Sequence, residues 1–142
     1  MRNIDKGRVG ESLAESYLIK KGYKFVERNY KTIGSEIDLI FIAPKKVLVQ
    51  ELDEDISNEK IKKELRSNII KTLKNTLVFV EVKYRTTSTF GKPFEAVNLF
   101  KQKHMQRGAN QFVLDYQIKN PNIRFDIISI ENEIVSHIKD VF

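Results

Sequence analysis

The sequence predicts an α/β fold with its elements in the order α-β-β-β-α-β. Three observations lead there. A run of helix-period apolar residues opens the chain, three strand-like runs follow, and a second helix-period run precedes another strand. Residues 6 to 21 read as the first helix, because Val9, Leu13, Ala14, Tyr17 and Leu18 fall on one arc and Gly22 stands where a C-terminal cap belongs. The strands are KFVERNYK (24 to 31), EIDLIFIA (36 to 43) and LVFVEVKYR (77 to 85), the first two joined by a Gly34-Ser35 turn. Pro93 suits the first turn of a helix over residues 94 to 117, where Val97, Phe100, Met105, Ala109, Phe112, Val113 and Tyr116 recur at helical spacing. IRFDIISI (123 to 130) is the next strand, and ENEIVSHIKDVF after it fits either a short helix or a strand.

Between the second and third strands lies a highly charged insertion, residues 45 to 76. Its second half carries Ile61, Leu65, Ile69 and Leu73 at four-residue steps and reads as an amphipathic helix. Its acidic run ELDEDISNE lacks the glycine of an EF-hand loop and reads as solvated. The whole chain, residues 1 to 142, reads as a single domain carrying this insertion.

The bulk composition narrows the class of function. There are 25 Lys and Arg against 19 Asp and Glu, a net charge of +6 that favours an anionic partner without naming one. The absence of cysteine excludes disulfides, thiolate metal sites and thiol catalysis, and fits a cytoplasmic location. The longest apolar run, Leu39 to Pro44, is far too short for a membrane span, and MRNIDKGRVGES has no apolar export core, so a soluble, unexported chain is expected. His104 and His137, each remote from acidic clusters in sequence, read as surface residues.

The chemistry is concentrated in two strands. In LVFVEVKYR, Val78, Val80, Val82 and Tyr84 form one face, while Leu77, Phe79, Glu81, Lys83 and Arg85 form the other. In EIDLIFIA, Ile37, Leu39 and Phe41 form an apolar face opposite Glu36, Asp38, Ile40 and Ile42. An antiparallel register placing Asp38 opposite Glu81 pairs Ile40 with Phe79, Ile42 with Leu77 and Glu36 with Lys83, so like environments meet throughout. It also sets two carboxylates about 5 Å apart at Cβ, a repulsion relieved by a divalent cation or by a raised pKa on one acid. Hard oxygen ligands of this kind favour Mg²⁺ or Mn²⁺. Taken alone, Glu-x-Lys is usually a solvated face with a weak ion pair. Here Asp38 stands at matching depth, and Glu11, at the margin of the first helix's apolar arc, is a third acid within reach of the same sheet end.

The segments GRVGESLAESYLIKKGY, RNYKTIGSEIDLI, LVFVEVKYR, FGKPFEAVNLFKQKHMQRGA and RFDIISI together resemble the YraN-type family of the PD-(D/E)xK nuclease superfamily, related to archaeal Holliday-junction resolvases. The resemblance implies a restriction-endonuclease-like core with a mixed central sheet flanked by helices. It implies Asp38 and Glu81 as metal ligands helped by the Val82 carbonyl, Lys83 near the attacked phosphate, and Glu11 in the metal and water network. Glu36 matches an acid of the family pattern, and Lys101 matches a basic position on the second helix, where a solvated lysine is the equally plain reading. Two departures stand out: Ser35 occupies a usual glycine position, and the 45–76 insertion replaces a short turn. In the register above, that insertion leaves the hairpin ~14 Å from Asp38.

The expectation is a Mg²⁺- or Mn²⁺-dependent endodeoxyribonuclease acting on branched or structured DNA in repair or recombination, with a homodimer as one arrangement. Arg8, Lys31, Arg85, Lys92 and Lys101 are candidates for phosphate contacts that position DNA without reading its sequence. The rival from another class is a non-catalytic DNA-binding or scaffolding module on the same fold. A third is a structural interaction protein that uses the insertion.

Overall fold

A computed structural model describes residues 3–44, 59, 60, 63, 75–85 and 98–142. The elements are α1 (Asn3–Lys20), β1 (Lys24–Thr32), β2 (Ser35–Ile42), β3 (Thr76–Arg85), α2 (Leu99–Asp115), β4 (Asn122–Glu131) and β5 (Ile134–Ile138). The strands form one sheet in chain order, antiparallel except for the parallel β3–β4 pair that α2 connects. This is the expected mixed sheet flanked by helices, consistent with a restriction-endonuclease-like core. The ambiguous C-terminal stretch is a strand, paired to β4 from Ile127–Ile138 to Glu131–Ile134. Apart from helical positions 59, 60 and 63, the 45–74 part of the insertion lies outside the described residues, as do Lys92, Pro93 and Val97.

Each face of the sheet carries its own core. On one side, Ala14 and Leu18 of α1 pack with Leu39, Phe41, Val78, Val80, Ile128 and Ile130. On the other, Met105, Ala109 and Phe112 of α2 pack with Tyr30, Ile37, Ile40, Leu77, Phe79 and Phe125. Phe79 lies edge-on to Phe112 at 5.8 Å between ring centroids, and full burial of such a side chain stabilises by roughly 1.5–3 kcal/mol. The alternation expected of β3 is present, with Val82 and Tyr84 half-buried against the α1 side.

Three expectations about faces need correction. On α1 the buried positions include Gly10, Ala14 and Leu18, while Val9 and Leu13 are exposed. A Cβ on Gly10 would sit 2.8 Å from Cβ of Tyr84, so α1 packs closely on β3 at a residue that carries no apolar signal. On α2, Phe100 and Tyr116 are exposed, because the helix approaches the sheet at its middle: a Cβ on Gly108 would lie 2.7 Å from Ser35 Oγ. The helix runs Leu99–Asp115, with Asn98 in extended conformation capping the Lys101 N–H through its side chain, and residues 94–97 of the expected span lie outside the described residues. On β2, Ile37 belongs to the α2 core together with its β1 partner Tyr30, and not with Leu39 and Phe41.

The end of α1 follows its sequence signal. Gly22 has φ +89°, the Tyr23 N–H returns to the Leu18 carbonyl and the Gly22 N–H to that of Ile19, which is the Schellman pattern. Among the described residues, no helix is long and apolar enough to cross a membrane.

Candidate active site at the open end of the hairpin

The β2–β3 ladder contains the expected Ile40–Phe79 and Ile42–Leu77 pairs and ends at Leu39–Val80. Asp38 and Glu81 are the residues immediately beyond that last rung. In place of a facing backbone pair, the Asp38 carboxylate reaches across the gap, and Oδ2 accepts the Val82 N–H at 2.8 Å. One strand thus holds the acid while the next fixes its orientation.

Glu81 is buried, with a side chain only 8% exposed, and two ammonium groups meet its Oε1: Lys101 Nζ at 3.1 Å and Lys83 Nζ at 3.4 Å. Lys83 arrives from the same strand two residues on, and Lys101 from the first turn of α2. Lys101, placed by the resemblance on the second helix, therefore belongs to this cluster. Glu11 approaches from α1, close enough for its charge to act on Asp38.

These neighbours raise the Asp38 carboxyl from its ordinary 3.8 to about 7. Burial is the largest cause and the charge of Glu81 the next. The Val82 hydrogen bond opposes them, Glu11 raises the value further, and Lys101 lowers it. Ionising Asp38 beside Glu81 is thus unfavourable in the bare protein.

The donor set fits a hard divalent cation. Asp38 Oδ1 and Glu81 Oε2 are the oxygens left by the contacts above, and Mg²⁺ commonly takes one or two carboxylates and keeps several waters. Among the described residues, no group of three or more His, Cys, Asp or Glu could hold a metal ion, so a cation here would rest on this pair.

The remaining expected residues are spread around this end of the sheet. Glu36 is exposed and lies across the β1–β2 ladder from Lys31, not across from Lys83. Arg8 and Lys31 are exposed, while Arg85 is half-buried at the end of β3 and engaged in an interaction. Ser35 is buried and donates its hydroxyl to the His104 carbonyl at 2.7 Å, tying β2 to α2. The turn itself is made by Gly34, at φ +79°.

A family model described as "Uncharacterised protein family UPF0102" matches residues 10–130. The chain belongs to the UPF0102 family. A UPF0102 protein of Caldanaerobacter subterraneus subsp. tengcongensis is 34% identical over 152 residues, covering 100% of both chains. One of Alkaliphilus oremlandii is 35% identical over 127 residues, covering 88% of this chain and 83% of its own. One of Clostridioides difficile (strain 630) is 30% identical over 144 residues, covering 100% of both. The UPF0102 match encloses Glu11, Asp38, Glu81, Lys83 and Lys101, which makes the whole candidate site part of the family's shared region.

His137 corrects the sequence reading. Its side chain is only 5% exposed, and Nε2 lies 2.7 Å from Oδ2 of the fully buried Asp126. Asp126 also takes a two-point contact from Arg124, at 2.8 Å to each oxygen, and accepts the Asp140 N–H at 3.0 Å. Eleven residues separate His137 from Asp126, and the β4–β5 pairing brings them together. The signal in the sequence is an aspartate set between Phe125 and Ile127 in a strand whose neighbours are mostly apolar.

Proposed function

We propose that this chain is a metal-dependent DNA endonuclease of the PD-(D/E)xK type, acting on branched or structured DNA. The observation that carries the proposal is the carboxylate pair Asp38–Glu81 at the end of a buried hairpin. Two lysines stand on one acid, and the other acid is held near a pKa of 7. Asp38 and Glu81 are the residues that would hold Mg²⁺ or Mn²⁺, which when bound would supply Lewis-acid polarisation of the phosphate.

The protein's own groups perform the rest. Lys83 and Lys101 present ammonium groups toward the charge that develops on the phosphoryl oxygens. The Val82 N–H keeps the Asp38 carboxylate oriented, and Glu11 adds negative charge that disfavours a bare Asp38 carboxylate and so favours positive charge bound there. Arg8 and Lys31, exposed in the same region of the fold, would meet backbone phosphates and fix the DNA's position without reading bases.

One observation favours the rival reading of a non-catalytic DNA-binding module. The two lysines already compensate Glu81 without any cation. A cleavage assay separates the two, with single-stranded, duplex, flapped and four-way-junction DNA, in Mg²⁺, Mn²⁺ or EDTA, beside Asp38→Ala and Lys83→Ala. Metal-dependent cleavage abolished in both variants establishes the nuclease. Salt-sensitive binding that persists in Asp38→Asn, with no cleavage by the unaltered protein, establishes the module.

A further inference from the structure

At the other end of the sheet lies a cavity of about 690 Å³ for which the proposed nuclease has no use. It is bounded by the end of α1 and the β3 start, where Thr76 lies ~17 Å along the strand from Glu81. Tyr17, Lys21, Tyr23, Arg124, His137 and Lys139 line it, and no described residue of its wall is acidic. Four of these six side chains can carry positive charge.

Their hydrogen bonds leave donors for a ligand. Arg124 spends Nε and one terminal nitrogen on Asp126, and the same terminal nitrogen also reaches the Tyr23 hydroxyl at 2.8 Å. Tyr23 accepts that bond, which leaves its own O–H to donate. The Asp126 carboxyl is held below the usual carboxylate range. Burial alone would raise it, but bonds from His137, Arg124 and the Asp140 N–H outweigh that. An ionised carboxylate only accepts, so His137 donates through Nε2 to Asp126.

Lys21 and Lys139 are exposed at the rim. Lys21 lies over the Tyr17 ring at 5.7 Å, and neither lysine has a carboxylate partner among the described residues. The carbonyls at the end of α1, which would repel an anion, accept the N–H groups of Lys21, Gly22 and Tyr23. The Tyr17 and Tyr23 rings already carry Lys21 and Arg124, so the cavity offers charge and hydrogen bonds more than a free stacking face.

We propose that this cavity binds the phosphate group of a small phosphorylated molecule of mononucleotide size. Lys21 and Lys139 supply the charge at the mouth, and Arg124 and the Tyr23 hydroxyl supply directed donors on the wall. Asp126, sealed beneath, fixes Arg124 without facing the ligand.

The test is calorimetric titration of the full chain with AMP, adenosine and inorganic phosphate. It is run on the unaltered protein, on Asp38→Asn, and on Lys21→Gln/Lys139→Gln and Lys21→Glu/Lys139→Glu. AMP should bind the first two alike and adenosine should not bind, while the paired glutamine change weakens AMP by about tenfold or more and the glutamate pair further. Inorganic phosphate binding as well as AMP identifies free phosphate as the ligand, and weaker binding identifies a phosphomonoester. Circular dichroism of the exposed-lysine variants checks that they fold. The proposal is overturned by no binding of either phosphate compound at about 10 mM, which is weaker than ~3 kcal/mol. It is equally overturned by AMP affinity unchanged in both lysine pairs, or by its loss in Asp38→Asn.

Discussion

Replacing Asp38 by Asn should make the metal-free protein more stable, and only above mildly acidic pH. The carboxyl rises from 3.8 unfolded to about 7 folded, a difference of about three pH units at about 1.36 kcal/mol each, so the ceiling is about 4 kcal/mol. Below pH 4 the group is protonated in both states and contributes nothing differential. Between pH 4 and 7 the unfolded chain releases its proton while the folded chain retains it, so stability falls as pH rises. Above pH 7 the loss is complete. Asn keeps an oxygen for the Val82 N–H and carries no charge, so the variant escapes this loss. Allowing for relaxation around a partly exposed group, the expected gain at pH 8 is about 1–3 kcal/mol, or roughly 3–10 °C in Tm. Thermal unfolding in EDTA at pH 5, 6, 7 and 8 measures it, and 10 mM Mg²⁺ should then stabilise the unaltered protein selectively at pH 8. A difference between the two proteins that stays flat from pH 5 to 8 would refute the raised carboxyl and the geometry that produces it.

Other outcomes follow from different contacts. Asp126→Ala should cost about 3–5 kcal/mol in denaturant unfolding, since it leaves Arg124 and His137 facing a buried void. Because the Asp126 carboxyl is depressed, its contribution is present above the unfolded carboxylate range and is lost as pH falls through the folded value, so Asp126→Asn should flatten the acid limb of the stability curve. Gly10→Ala should destabilise by about 1–3 kcal/mol, because the new methyl would lie 2.8 Å from Tyr84 Cβ. If the proposed nuclease is correct, Lys101→Ala should lower kcat by about 10²-fold while DNA affinity changes less, and an unchanged kcat would limit Lys101 to structural pairing with Glu81.

Much of this was legible because strand and helix periods are local properties. β2 and β3 announced themselves by alternation, and the register with Ile40 beside Phe79 followed from matching apolar with apolar and charge with charge. Gly22 was readable as a cap because a positive φ is intrinsic to its place after a helix. Gly10 and Gly108 were not, since a glycine that admits a neighbouring element gives no apolar signal and is defined by what it touches. For the same reason Val9, Leu13 and Phe100 keep helical spacing and yet lie exposed: periodicity finds an apolar stripe but not where a helix rests on it.

The sequence by itself determined the order of the elements through β4, the pairing of Ile40 with Phe79 and Ile42 with Leu77, and the acids and lysine of the hairpin. Only the tertiary structure decided that the ladder stops at Leu39–Val80, leaving Asp38 to reach across to Val82, and that Lys101 comes to Glu81. It alone joined Asp126 to His137 and gathered Lys21, Arg124 and Lys139 around one cavity. The division has a physical cause. Backbone periodicity is set by neighbours in the chain, whereas burial, field and hydrogen-bond partnership are set by groups that the chain brings together from far apart.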